Sequence, residues 1–167
     1  MDFTKRMGII TEKRNRKMND YMHKASRNIV DFCKEKDIPT IVIGYNKDWK
    51  RDSQLSRRVN QSFVGIPTKR LIEMIQYKAQ EAGITVILTE ESYTSGTSFL
   101  DGEEPVKKNY DKRRRIYRGL FRSRNGIEIN ADINASYQIL KKVFPAAYAN
   151  GIEGVVLHPV RVNAASI

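Results

Sequence analysis

IPTIVIGY at residues 38–45 and ITVILTEE at residues 84–91 decide the fold. Each is a short β-branched run without polar alternation, the pattern of a strand covered on both faces. Between them, at residues 67–83, PTKRLIEMIQYKAQEAG puts Leu71, Ile72, Ile75 and Ala79 on one helical face. Thr68, after Pro67, is the expected N-cap of that helix, and Gly83 its stop. Strand, helix and strand in this order make a βαβ unit. Its two strands should run parallel through a right-handed crossover and gather functional groups at their carboxyl ends.

On the N-terminal side, residues 3–36 contain no proline, and Tyr21, Ala25, Ile29, Phe32 and Cys33 recur at helical spacing, so one long helix is expected. Its first half, through Asn19, is too polar to bury a face; it lies on a partner or projects into solvent. Pro39 ends it. From Asn46 to Ile66 the chain is polar and irregular around Trp49, a long connection of the kind that contacts a partner or carries function.

On the C-terminal side, residues 92–126 are rich in Ser, Thr, Gly, Lys and Arg without a sustained period, and read as a loop or small hairpin insertion. Asn130 caps a further helix, with Ile133, Tyr137 and Leu140 on one face and Ile139 and Val143 widening it. Gly151 and Gly154 precede VVLHPVRV, a candidate terminal strand. The expected organisation is one domain over 1–167: a long helix at 3–36, a βαβ core at 37–91, a basic insertion at 92–126, and a C-terminal helix and tail at 127–167.

Thirty Lys and Arg against nineteen Asp and Glu give a formal charge of +11, which favours a polyanionic partner through counterion release. The charge is clustered. Lys5, Arg6, Lys13, Arg14, Arg16 and Lys17 crowd the N-terminal segment. Lys107, Lys108, Lys112, Arg113, Arg114, Arg115, Arg118, Arg122 and Arg124 crowd the insertion, interleaved by Tyr110, Tyr117 and Phe121, whose rings offer faces for bases. Trp49 and Tyr93 are further stacking candidates, with plain packing as the other reading of each. No apolar run approaches the roughly 20 residues of a membrane span, and residues 1–30 lack a signal-type apolar region. An intracellular protein without membrane contact is expected. Cys33 is the single cysteine, and His23 and His158 lie far apart, so no zinc-knuckle spacing exists.

Three acids stand where a parallel α/β sheet presents functional groups. Glu90 and Glu91 end the second strand, and Asp132 lies in the first turn of the last helix, where the dipole favours a carboxylate. By pattern alone they are either solvated end charges or members of one site.

Four stretches in order, NDYMHKASRNIVDFC, IPTIVIGYNKDWK, the run from NQSFVGIPTKRL to TSFLDGE, and RGLFRSRNGIEINADINASYQILKKVFP, resemble successive blocks of the TnpB family, from about residue 11 to residue 160. These are transposon-encoded, RNA-guided DNA endonucleases related to type V CRISPR effectors. The resemblance implies an incomplete RNase H-like, RuvC-type α/β fold corresponding to the family's C-terminal nuclease region. DNA and guide RNA are the implied partners, magnesium the cofactor, and the cytoplasm of a prokaryote the location.

RuvC-type sites use three carboxylates around two magnesium ions about 4 Å apart. In INADINAS, Asp132 matches the final ligand. Most relatives place the middle glutamate where Gly44 stands here, so the resemblance assigns that role to Glu91 of EESYTS, with Glu90 as the alternative. The first aspartate belongs to a strand preceding the long helix, and Asp2 does not fit that context. A site short of one ligand should bind metal weakly and be inactive alone, which implies a separate N-terminal polypeptide or self-association. Relatives also carry two CxxC pairs forming a zinc ribbon. Here Ser98 and Asp101 take the first spacing and SRNG at 123–126 the second, implying a metal-free hairpin in which Asp101 either approaches the active site or is a turn residue. The competing function is a catalytically dead, nucleic-acid-binding remnant or repressor-like module.

Overall fold

The computed structural model describes residues 3–46, 67–148, 154–160 and 162. In chain order the elements are helix α1 (Phe3–Glu35), strand β1 (Thr40–Tyr45), helix α2 (Thr68–Glu81) and strand β2 (Thr85–Glu90). They continue with two short 3-10 turns, strands β3 (Arg115–Tyr117), β4 (Leu120–Arg122) and β5 (Glu128–Asn130), and helix α3 (Ala131–Val143). The expected connection at 46–66, with Trp49, lies outside the described residues after Asn46, as does Gly151. The described part of 155–162 forms no strand.

β1 and β2 make a two-stranded sheet joined through α2. Their starts abut, since the Thr85 amide donates to the Pro39 carbonyl at 2.9 Å. Their ends also abut, since a Cβ on Gly44 would lie 3.3 Å from that of Glu91. The two strands therefore run parallel, which their long helical connection allows.

Contacts divide the described residues into two compact units, one drawn from 3–41, 67–86 and 162, the other from 42–46, 87–148 and 154–160. In the first unit Val30 and Cys33 of α1 pack against Ala79 of α2 and Ile84, with Ile38, Ile41 and Val86 around them. The buried face of α1 is Met22, Ser26, Val30 and Cys33. The expected face differs: Tyr21 is 59% exposed and Phe32 56%. α1 carries two apolar lines, and contact with α2 selects one of them. Residues 4–17 are exposed throughout, in keeping with their polarity.

α2 buries Ile72, Met74, Ile75, Lys78 and Ala79. Pro67, not Thr68, holds its N-cap position, and no side chain caps it. Lys78 is the unexpected member. Its ammonium donates to the His23 carbonyl and to Ser26 Oγ, both at 2.7 Å, which satisfies a charge that burial would otherwise penalise.

The two strands composed for double coverage are only half covered. Every residue of β1 is half-buried, and β2 exposes Thr85, Leu88 and Glu90. Two strands provide too little sheet to bury both faces of either.

In the second unit, β3, β4 and β5 form an antiparallel meander, with Phe121 opposite Ile129. Phe121, Ile129 and Ala131 are its core, flanked by Leu100, Ile133, Tyr137 and Leu157. The basic stretch is thus a small sheet whose last strand runs directly into α3. Asn130 caps α3 as expected, its Oδ1 accepting from the amides of Asp132 at 3.0 Å and Ile133 at 3.1 Å. The most deeply buried line of α3 is polar: Asn134 accepts from the Phe99 amide at 3.0 Å and donates to the Thr97 carbonyl at 2.8 Å, while Gln138 donates to the Glu103 carbonyl at 3.1 Å. These two amides tie the loop at 97–103 to the helix.

Candidate functional site

β2 ends at Glu90, and the chain turns sharply through Glu91, Ser92, Tyr93 and Thr94. Tyr93 sits in the left-handed region at φ +65°, a conformation side chains adopt rarely and that recurs in functional turns. Three successive carbonyls of this turn are engaged. Lys142 Nζ of α3 donates to Glu90 O at 2.9 Å and Ser92 O at 2.8 Å, and Thr94 Oγ1 donates to Glu91 O at 2.8 Å.

The two glutamates face different surroundings. Glu90 accepts from the Ser92 amide at 2.7 Å and lies 3.2 Å from Lys142 Nζ. The Ser92 hydrogen bonds, reinforced by Lys142 against a small burial cost, hold its carboxyl below the usual range. Glu91 is half-buried against the end of β1. A Cβ on Gly44 would stand 3.3 Å from Glu91 Cβ and 2.6 Å from Ile139 Cδ1 of α3. Glycine at 44 therefore opens the slot in which Glu91 and Ile139 meet.

Asp132 projects from the first turn of α3 with its side chain 87% exposed and Arg115 Nη2 at 3.7 Å. Asp132 and Ile139 lie two helical turns apart on one face, about 10 Å along the axis. Glu91 Cβ thus lies near Ile139, while Asp132 stands about two turns away on the same helix. Glu90 is drawn instead toward Lys142, farther along the helix. Among the described residues, no three His, Cys, Asp or Glu side chains converge closely enough to hold a metal.

The expected nucleic-acid cluster separates into inward and outward members. Arg114 is internal, its side chain 14% exposed. It pairs with Asp101 and, through Nη1, with both oxygens of Glu103 at 2.8 Å, and its guanidinium lies 5.1 Å from the centroid of the Phe121 ring. Arg124 Nη2 closes on Glu103 at 2.8 Å, and its amide donates to Asp101 at 2.9 Å. Burial would raise the Asp101 carboxyl, but Ser98, the Arg124 amide and Arg114 outweigh it and hold it below the usual range. Asp101 thus belongs to an internal ion-pair knot.

Arg113 and Arg122 pair with Asp111 at 3.0 Å and Glu128 at 2.6 Å. Lys107, Lys108, Lys112 and Arg118 are exposed and form no ion pair among the described residues. Lys108, Arg113, Arg122 and Arg124 line an open concavity of about 830 Å³ with Tyr110 and Ile116. Of the three rings interleaving this charge, Phe121 is buried in the core. Tyr110 lies flat on Gly96, where a Cβ would come within 2.4 Å of its ring. Tyr117, 64% exposed, is the ring a base could reach. Tyr93 meets Tyr110 edge-on at 5.8 Å.

Two residues central to this geometry lack a sequence signal: Lys142, an ordinary last-turn lysine by pattern, and Gly44, which reads as a missing ligand rather than as space for one. Among the described residues, no helix is long and apolar enough to cross a membrane.

Residues 69–139 match the family model described as Cas12f1-like, TNB domain. The structure matches a cryo-EM structure of a Cas12f1–sgRNA–target DNA complex with a TM-score of 0.64 at 21% identity, over 81% of this chain. The chain spans 36% of the length of that Cas12f1 chain. No curated protein matches. The mixed α/β fold is thus shared with part of Cas12f1, and residues 69–139 are similar to the TNB domain of Cas12f1-like proteins.

Proposed function

We propose that this chain is the C-terminal, RuvC-like part of an RNA-guided DNA endonuclease, with Glu91 and Asp132 as two of the three carboxylates of a divalent-cation site. The observation that carries this reading is the slot beside Gly44. Glu91 Cβ lies beside the end of β1, where the resemblance to TnpB expects a glutamate, and near the helix whose first turn carries Asp132, which supports the reading.

The donor set suits a hard cation: carboxylate oxygens, with neither thiolate nor imidazole among them. The chemistry a bound pair of magnesium ions supplies is activation of water and stabilisation of the phosphate's attacking and leaving oxygens. The chain's own residues bind and orient. Arg115, beside Asp132, is placed to take a phosphate oxygen, and Lys107, Lys108, Lys112 and Arg118 offer a cationic face to a nucleic-acid backbone. The Cas12f1 in the matching structure is held with sgRNA and target DNA, and the charge of +11 supports the same partners here.

Two carboxylates leave a third to be supplied, and the half-covered β1 together with exposed Tyr21 and Phe32 supports a covering polypeptide. We expect that cover to be the strand of such a nuclease that carries the remaining carboxylate, or a second copy of this chain. Sedimentation at micromolar concentration should show self-association or poor folding; a well-folded monomer argues against the cover. Mixed with the N-terminal half of a TnpB-type nuclease, guide RNA and magnesium, the full chain should cut target DNA, and Asp132→Ala should abolish cutting.

The second reading, a nucleic-acid-binding module without cleavage, is favoured by the Arg115–Asp132 pair and by the lack of a three-acid cluster among the described residues. Salt-dependent binding with no cleavage in any reconstitution would select it.

A further inference from the structure

We infer that Lys142 is a positioning residue for Glu91, clamping the turn that carries it to the helix that carries Asp132. This rests on the reading of Glu91 and Asp132 as cation ligands. Lys142 Nζ reaches the carbonyls on both sides of Glu91, at 2.9 Å to Glu90 O and 2.8 Å to Ser92 O, and also touches Glu90 Oε2 at 3.2 Å. Three acceptors match the three donors of an ammonium, so its orientation is fully determined. The lysine's stem is largely covered, with 19% of the side chain exposed, while its three hydrogen bonds lie at the surface.

One turn earlier on the same face, Ile139 occupies the space left by Gly44. α3 therefore grips the ends of both strands, β1 through Ile139 and β2 through Lys142, with Glu91 between the two grips. Asp132 stands on that helix, so one rigid element fixes the spacing of the two carboxylates. Carbonyl groups rather than carboxylates receive most of the lysine's donors. The backbone on both sides of Glu91 is thereby held through the Glu90 and Ser92 carbonyls. Outer interactions of this kind govern how well a ligand is presented.

The test uses the full chain and Mn²⁺ alone, titrated by electron paramagnetic resonance, with amide exchange at residues 92–96 read in parallel. Lys142→Met, which keeps the stem and removes the donors, should weaken Mn²⁺ binding about tenfold to a hundredfold, speed exchange at Thr94, and leave the circular dichroism spectrum intact. Lys142→Arg, which keeps donors, should recover most of the affinity and guards against a Met variant that fails to fold. Glu91→Gln separates the two ideas. If it binds Mn²⁺ as the parent chain does, the assignment of Glu91 as a ligand falls, and the clamp's role with it. If it binds weakly while Lys142→Met binds normally, the clamp alone is overturned.

Discussion

Each unit of this chain buries a cation, and the two are buried on different terms. Lys78, between α1 and α2, meets only neutral acceptors, the His23 carbonyl and Ser26 Oγ. Arg114, inside the insertion, meets two buried carboxylates, Asp101 and Glu103. Without Lys78, the Ser26 hydroxyl still has the Met22 carbonyl at 2.7 Å or the His23 carbonyl at 3.1 Å to donate to, so no donor is orphaned. Without Arg114, two negative charges are deprived of their principal partner in a low-dielectric interior. The lesson is that burial of a charge says little by itself; what its partners would do alone decides how much depends on it.

Substitution of Arg114 should break this contrast most visibly. Arg114→Met strips Asp101 of its ion pair and leaves Glu103 to Arg124 alone, and should cost about 3 kcal/mol in urea unfolding; a loss no larger than that of a surface substitution would contradict the knot.

Acid should find the same region next. Asp101 is held below its ordinary 3.8, so the folded chain binds its proton later than the unfolded one. Its stabilising contribution is complete above the ordinary aspartate range and is lost as pH falls through the lowered value. Stability measured against pH should therefore fall less steeply in acid for Asp101→Asn, which is already weakened at neutral pH, than for the parent chain.

Lys78→Met supplies the opposite limb, with a change within about 1 kcal/mol, because the methionine packs in the same space and relieves a desolvated charge. Burial lowers the Lys78 pKa, with Arg27 adding to it against Asp31 and Glu81. The unfolded chain therefore holds more protons than the folded one between the lowered value and 10.5, and folding strengthens as pH rises through that window. The parent chain should gain on Lys78→Met there, which paired alkaline melts would read.

The smallest effect on stability belongs to the outward cations. Lys112→Ala or Arg118→Ala should leave unfolding within about 0.5 kcal/mol of the parent. Each should lower the salt dependence of duplex binding by about 0.9 in slope for every phosphate it ceases to neutralise. A reduced slope for Arg114→Met in a form that remains folded would show that the inward and outward division is drawn in the wrong place.

The same contrast marks what could be read from the chain beforehand. α2 and the Asn130 cap were legible because periodicity and capping are local. The face of α1 was not, since Tyr21 and Phe32 form as good an apolar line as Met22 and Val30, and only packing against α2 distinguishes them. Thr68 looked like a cap because its side chain suits the role, yet Pro67 occupies the position. The insertion reads only as a loop or small hairpin, because Arg114, Asp101, Asn134 and Gln138 hold it by ion pairs and amide bonds that leave no period in sequence. At the site, the cap context singled out Asp132, and the strand end Glu90 and Glu91. What separates the two glutamates is a glycine and a lysine on other elements, which no local pattern connects to them.

The knot around Arg114 also fixes which reagents can reach it. With Cys33 the chain's single cysteine and lodged in α1, the insertion has no sulfur to oxidise, alkylate or strip of a bound ion. Thiol reagents have nothing to act on there, while protons and concentrated guanidinium salts compete directly for its carboxylates.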